Sequence, residues 1–154
     1  MPADDWLSRK DFAHVVRCAP LVSVDLILTD HTGSALVGMR TNEPARGFYF
    51  VPGGVIRKNE TIDCAFERIL EIETELRARR SNATLLGIFE HFYETNRLME
   101  SGDGTHYVVL AYGLQVTERP VLLPDEQHSA FRWMSPADLV APTDVHENTK
   151  VYFL

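Results

Sequence analysis

The sequence predicts one α/β domain, and three observations support this class. Its 154 residues, of which 45% are hydrophobic and 24% charged, have the size and balance of one globular domain with a sizeable core. In some segments apolar and polar residues alternate, as in strands. Between them lie segments in which apolar residues recur every three or four positions, as in helices. No low-complexity tract or internal repeat is evident, so we expect a single domain over residues 1–154.

The first helix is predicted over residues 8–19. Ser8, with Asp11 three residues further on, resembles an N-terminal capping box, and Pro20 ends the helix. Its apolar face consists of Phe12, Val15, Val16 and Ala19. This face could cover its own domain or that of a partner subunit, and the sequence does not choose between them.

Six segments have the alternation or the apolar content of strands. They are residues 21–29, 35–39, 48–51, 85–93, 105–114 and 131–134. Residues 30–33 are predicted to form a hairpin turn, and residues 52–54 a turn with close backbone approach. Residues 41–47 and 96–104 are predicted loops, the second of them mobile. Short helices are predicted at residues 136–140 and in the tail.

A second helix is predicted after Asn59, a suitable N-cap, with arginines 77, 79 and 80 suited to its C-terminal end. Its apolar stripe consists of Ile62, Phe66, Ile69, Leu70 and Leu76. Glu73 lies on the same stripe, where a carboxylate is costly to bury unless it is paired, protonated or bound to a metal. The stripe therefore leaves two main interpretations of Glu73, a metal ligand or an ion pair with a nearby arginine.

Charge and cysteine usage narrow the class of function. The net charge of −7 argues against a nucleic-acid surface, because binding a polyanion needs concentrated Lys and Arg. No segment resembles a signal peptide or a membrane span. Cys18 and Cys64 are isolated and suit reduced thiols, so we expect a cytoplasmic protein. A small substrate that carries phosphate must then be bound by a metal and a few arginines.

A spaced motif runs through the second helix. Gly54 is followed after five residues by Glu60 and after seven more by Arg68, with Glu73 completing the pattern beside apolar Leu70 and Leu76. This arrangement resembles the Nudix motif, GX5EX7REUXEEXGU, in which U is an apolar residue. The resemblance implies a mixed β-sheet sandwiched between helices, and a divalent cation held against a nucleoside diphosphate.

The departures from this motif narrow the resemblance. Ile69 and Ile72 stand where the motif has Glu, and Glu75 stands where it has Gly. Fewer carboxylates hold fewer cations, so we expect one Mg²⁺ per subunit, with Mn²⁺ able to replace it. The GDP-mannose mannosyl hydrolases lack the same carboxylates, and this chain is similar to that branch from about residue 11 to residue 154.

The resemblance assigns three metal ligands and a base. The ligands are the carbonyl of Gly53, the carboxylate of Glu73 and the amide oxygen of Gln127. On spacing alone, Gly53 would belong to a simple turn and Gln127 would be a surface residue. A loop histidine such as His128 is more often solvated than catalytic, but its ordinary pKa of about 6.5 suits a general base. By resemblance, His128 activates water.

Five more residues are assigned to the substrate by resemblance. Arg40, Arg68 and Tyr107 would bind the diphosphate, and Asp25 and His91 the sugar hydroxyls. Asp25 interrupts an apolar strand and so needs a partner in any case.

Three of these residues have structural alternatives. Arg40 could be an ordinary surface arginine before a loop. Tyr107 shares strand parity with Val109 and Ala111, which favours a core tyrosine. Arg68 lies on the far side of an ideal helix from Glu73, so its rival role is an ion pair; the candidate partners are Glu60, Glu67 and Glu71.

One more departure concerns the leaving group. The branch has an arginine directly after the second glycine, where this chain has Val55. Arg57 lies two residues further on, on the same strand face if the chain is extended. It is expected to bind substrate in its place; the alternative is that the leaving group is stabilised less well.

The resemblance implies hydrolysis of GDP-mannose, with GDP-glucose as a further substrate, by attack of water at the anomeric carbon with inversion. It also implies a homodimer, to which the first helix could contribute. Two rival functions remain. One is an ordinary Nudix pyrophosphohydrolase, against which the missing glutamates argue. The other is a non-catalytic module that binds nucleotide sugars, which Val55 favours and the retained Glu73, Gln127 and His128 oppose.

Overall fold

One mixed sheet of seven strands is the centre of the fold in the described residues. The computed structural model describes residues 7–98, 102–141 and 144–154. The strands are β1 Leu21–Thr29, β2 Ala35–Arg40, β3 Tyr49–Phe50, β4 Gly53–Val55, β5 Thr84–Tyr93, β6 Thr105–Gln115 and β7 His128–Met134. Their main order is β3-β2-β1-β6-β5, with β4 paired to β1 and β7 to β2. β1 and β6 are parallel and the other pairs are antiparallel, so the predicted mixed sheet is confirmed.

Helices pack on both faces of this sheet. They are α1 Arg9–Cys18, α2 Ile62–Thr74, α3 Pro136–Val140 and α4 Glu147–Lys150, with a 3₁₀ turn at Arg80–Asn82. Alternate side chains of a strand point to opposite faces. Leu26 accordingly joins a core with α2, and Ile27 joins a second core with α3 and the C-terminal segment. The predicted α/β sandwich is therefore confirmed.

The first helix covers its own domain. Ser8 caps α1 by accepting a hydrogen bond from the backbone N–H of Asp11, as the sequence predicts. Phe12 and Val16 are buried and form a small core with Leu21. Phe12 and Val16 of the apolar face are therefore covered by their own domain, whereas Ala19 is exposed.

The second helix differs from its prediction at both ends. Thr61, and not Asn59, is the N-cap, because its side chain accepts a hydrogen bond from the Cys64 N–H. Asn59 has a positive φ of 66° in the preceding turn. The helix ends at Thr74, so Leu76 lies beyond it, and its last turn carries no basic residue. The predicted stripe is also interrupted, since Ile62 is 38% exposed.

The predicted turn at residues 52–54 is in part a strand. β4 pairs antiparallel with β1 and places Gly53 opposite Asp25. The last predicted strand begins three residues earlier than expected, at His128, because β7 pairs with Arg40 past an irregularity in the ladder. His128 is therefore a strand residue and not a loop residue.

Two other predictions concern whole segments. Residues 99–101 of the predicted mobile loop lie outside the described residues. In the described ranges, no helix has the length and apolar character that crossing a membrane would require.

Candidate functional site

A cavity of about 110 Å³ opens on the face of the sheet opposite α2. Asp25 of β1, Tyr107 of β6 and His91 of β5 line it, because all three share the side-chain parity of that face. Arg40 and Gly53 complete the wall. Ligand pockets usually measure about 300–1,000 Å³, so this cavity suits one part of a larger ligand. Five of the predicted site residues therefore meet at one place.

Asp25 is buried at the back of this cavity. Burial raises its pKa to about 7, although a hydrogen bond from the Tyr152 hydroxyl and the nearby Arg40 charge oppose that rise. Tyr152 donates to Oδ2. The other oxygen, Oδ1, would lie 2.5 Å from a Cβ at position 53, and the Val24 carbonyl oxygen 2.8 Å from it. A glycine is therefore required at position 53 for the backbone to approach Asp25.

His91 is a neutral imidazole in the same wall. Burial lowers the pKa of His91 to about 4, with a smaller contribution from the nearby His146. Its Nε2 lies 3.3 Å from the Tyr152 hydroxyl. A neutral imidazole offers one donor and one acceptor, which suits recognition of hydroxyl groups.

Arg40 and Tyr107 lie at the two sides of the cavity. Arg40 is half-buried at the end of β2, so it is not an ordinary surface arginine. The Tyr107 ring packs edge-on against Tyr93, with 5.9 Å between ring centroids, and both rings line the cavity. The Tyr107 ring is therefore packed, as its position in the strand predicted, and it also lines the cavity.

His128 lies outside the lining of this cavity but is paired with Arg40 between β7 and β2. Its Nδ1 is 3.2 Å from Oδ1 of Asp125, which also accepts the His128 backbone N–H. Burial lowers the pKa of His128, with the Asp125 charge opposing this and Arg40 adding to it. With the proton on Nδ1, the free nitrogen Nε2 is an acceptor.

Arg68 is engaged away from the cavity. Its guanidinium binds both carboxylate oxygens of Glu60, at 2.7 and 2.8 Å, and donates to the Val55 carbonyl at 2.8 Å. This charge-assisted pair lowers the pKa of Glu60. The structure thus shows the ion pair that was the alternative interpretation, and Arg68 ties the loop before α2 to β4.

The predicted metal ligands lie on three different segments. Gly53 lines the cavity, Glu73 is half-buried near the end of α2, and Gln127 is half-buried in the turn before β7. Across the described ranges no group of three His, Cys, Asp or Glu side chains could hold a metal ion. The predicted set contains one carboxylate and two neutral oxygens, and oxygen ligands of this kind suit Mg²⁺.

Three residues that matter to the site were not predicted. Tyr152 lies in the tail, where only the chain fold brings it to Asp25. Asp125 precedes His128 by three residues, and an Asp before a turn was the available signal. Gly38 leaves room for His128, because a Cβ at position 38 would lie 2.8 Å from Cδ2 of its imidazole.

Two comparisons of sequence identify the family. A model of the NUDIX domain matches residues 19–154. The Low-salt glycan biosynthesis protein Agl8 of Haloferax volcanii is 39% identical over 136 residues, which cover 88% of this chain and 80% of that protein.

Solved structures share the fold. A MutT NUDIX hydrolase from Burkholderia pseudomallei matches with a TM-score of 0.69 and 24% identity, over 87% of this chain and 95% of that chain. The NUDIX domain of Shewanella oneidensis NrtR, solved with ADP ribose, matches with a TM-score of 0.65 and 17% identity, over 95% of each chain. From the matched domain model and the sequence relative, this chain belongs to the Nudix family of hydrolases.

Proposed function

We propose that this Nudix hydrolase cleaves GDP-mannose, and also GDP-glucose, to GDP and the free sugar. The observation that carries the proposal is the cavity wall in which buried Asp25 and neutral His91 adjoin Gly53. These are groups that recognise hydroxyls beside the glycine turn expected to hold a diphosphate. The name of the Haloferax relative, a glycan biosynthesis protein, supports a substrate that contains sugar.

The two adjacent glycines of β4 contact residues on opposite faces of the sheet. Gly53 lies against Asp25 on the cavity side, and Gly54 lies against Ile69 of α2 on the other. A diphosphate bound at this pair would have its sugar beside Asp25 and His91. The positive charge that develops at the anomeric carbon would then face an ionised Asp25, which is favourable in an oxocarbenium-like transition state.

His128 is the proposed general base. Its low pKa keeps the imidazole neutral, and Asp125 beside Nδ1 leaves Nε2 to accept a proton. Water adds to the anomeric carbon while the bond from that carbon to the GDP oxygen breaks. The proton of the water goes to His128, and attack opposite the leaving group inverts the carbon.

Arg40 and Tyr107 are the proposed diphosphate ligands, since both line the cavity. Val55 also lines it and adds no charge, so we propose that Arg57 contributes the further cation. One Mg²⁺, replaceable by Mn²⁺, would be held by Gly53, Glu73 and Gln127, where it supplies charge neutralisation for the departing diphosphate.

The structure adds an argument against the ordinary pyrophosphohydrolase. Ile69 occupies a position where the Nudix motif has a metal-binding Glu, and its side chain is 2% exposed and packs against Gly54. A carboxylate there would be buried in the α2 core. The set of carboxylates that serves attack at phosphorus is therefore not available in this chain.

We also propose a cytoplasmic homodimer. Both cysteines are free and exposed, which suits a reducing compartment. Because α1 packs on its own subunit, the dimer would use another surface, and β5 offers exposed Ile88 and Phe92 at an edge of the sheet.

A product assay tests the proposal. The purified protein is incubated with GDP-mannose and Mg²⁺, and the products are separated by anion-exchange chromatography. We expect equal amounts of GDP and mannose, with the anomer opposite to that of the substrate formed first. GMP with mannose 1-phosphate would establish the pyrophosphohydrolase instead, and binding without turnover would establish the non-catalytic module.

A further inference from the structure

Tyr152, from the C-terminal segment, lies between the two groups proposed to hold the sugar. We infer that Tyr152 is a positioning residue that joins Asp25 and His91 into one hydrogen-bonded chain and so completes the sugar end of the cavity. The inference deepens the proposed function and rests on it for its effect on turnover.

The contacts of Tyr152 show why this link is needed. Asp25 is on β1 and His91 is on β5, and β6 lies between them, so the two strands are roughly 10 Å apart. The Tyr152 hydroxyl donates to Oδ2 of Asp25 and lies 3.3 Å from Nε2 of His91. It thus bridges two strands that are not neighbours.

The ring of Tyr152 is held in place independently of its hydroxyl. It packs edge-on against Phe89, with 4.9 Å between centroids, in the core that also contains α3. Backbone N–H groups of Tyr152 and Phe153 donate to the carbonyls of Thr149 and Lys150. Removing the hydroxyl would therefore leave the segment folded.

Proton counting gives the direction of this hydrogen-bonded chain while Asp25 is ionised. A phenol has one proton, and donating it to Asp25 leaves the Tyr152 oxygen as an acceptor towards His91. His91 must then carry its proton on Nε2, which leaves Nδ1 as an acceptor. Together with Oδ1 of Asp25, this gives the sugar end of the cavity two acceptors for hydroxyl protons. This hydrogen-bonded chain therefore favours a ligand that offers several hydroxyl donors.

The test compares Tyr152→Phe with Tyr112→Phe. The control tyrosine is buried in the α2 core, where its hydroxyl accepts from Arg80 and its ring packs edge-on against Phe66. Two quantities are measured for each variant. Nitrogen-15 NMR gives the tautomer of His91, and kinetics give kcat with GDP-mannose and the inhibition constant of GDP, which lacks the sugar.

Above pH 7, where Asp25 is ionised, we expect wild-type His91 to carry its proton on Nε2, and Tyr152→Phe to lose that preference. Because a hydrogen bond to a charged group is lost, kcat should fall about tenfold to a hundredfold. GDP inhibition should stay within about twofold, and the control should match the wild type in every measurement.

A proton on Nδ1 in the wild type would overturn the inference without any variant, and so would a kcat for Tyr152→Phe within about twofold of the wild type. If the wild type releases no GDP and mannose, the proposed function fails. The tautomer measurement then still decides whether the hydrogen-bonded chain exists.

Discussion

Asp25 is a carboxyl group whose surroundings favour its neutral form. Its pKa is raised from 3.8 to about 7, mainly by burial. Between these pH values the unfolded chain ionises Asp25 while the folded chain holds the proton, so folding becomes less favourable as pH rises. The charge that would assist catalysis is therefore obtained at a cost in stability.

Asp25→Asn should separate these two effects. The amide does not titrate, so the variant should gain stability relative to wild type as pH rises from about 4 to 7, by about 1 to 3 kcal/mol. Above pH 7 the gain should be constant, and turnover should be low throughout. Urea unfolding in EDTA across this pH range measures it, with the exposed Asp144→Asn as control. A stability difference independent of pH would contradict the raised pKa.

His128 is predicted to act through its unprotonated ring. Ionisation of Asp25, whose pKa is about 7, should make activity rise with pH up to about 7. Deprotonation of His128, whose pKa lies below the usual 6.5, should add a rise over the range below 6.5. His128→Gln should lose about 100- to 10,000-fold in kcat and lose this rise, with unchanged Mg²⁺ binding. The exposed His14→Gln is the matched control. A loss under tenfold would remove His128 from the base role.

At the scale of elements, Arg68 of α2 fixes the loop between β4 and α2 through its ion pair with Glu60. Both side chains of its pair with Glu60 are less than one-fifth exposed, at 18% and 14%, so breaking the pair leaves a poorly solvated charge. Arg68 also donates to the β4 carbonyl at position 55. Strand β4, which carries Gly53 and Gly54, and the loop after it are thereby fixed to the helix.

A double-mutant cycle distinguishes this role from a phosphate clamp. Arg68→Met should lower stability by about 2 to 4 kcal/mol, and adding Glu60→Gln should recover part of it. In the Glu60→Gln background, the further effect of Arg68→Met on the KM for GDP-mannose should be below about threefold. If Arg68→Met raised the KM as much in the Glu60→Gln background as in the wild type, and by more than threefold, Arg68 would bind phosphate.

Local sequence patterns predicted the helices and strands better than the side-chain contacts between distant segments. The parity of Tyr107 with Val109 and Ala111 predicted the face on which it lies, and the apolar context of Asp25 predicted that it needs a partner, because both are local properties. Tyr152 was missed because its partner is 127 positions away in sequence. The N-cap was placed two residues early because Asn59 suits a cap in isolation, whereas Thr61 makes the hydrogen bond.

At the scale of the whole molecule, the sheet lies between the helix that carries Glu73 and the cavity that holds Asp25 and His91. One face packs against α2, which carries Glu73, and the other face holds the cavity with Asp25 and His91. The glycine pair in β4 is the place where both meet. With a net charge of −7, the protein as a whole repels an anionic substrate, so local arginines and a cation must provide the attraction.

The oligomeric state is a prediction at this scale. We expect twice the mass of a 17.5 kDa chain in light scattering at micromolar concentration. Ile88→Lys on the exposed side of β5 should shift the protein towards monomer, while Val121→Lys, at an exposed loop position, should not. A monomeric wild type would remove the dimer from the account.

Which bond water attacks is the central claim, and oxygen-18 labelling tests it most directly. The reaction is run with GDP-mannose and Mg²⁺ in labelled water, and both products are analysed by mass spectrometry. Attack at the anomeric carbon predicts one labelled oxygen in mannose and none in GDP. Label in any phosphate product would contradict the claim and assign this chain to the pyrophosphohydrolases of its family.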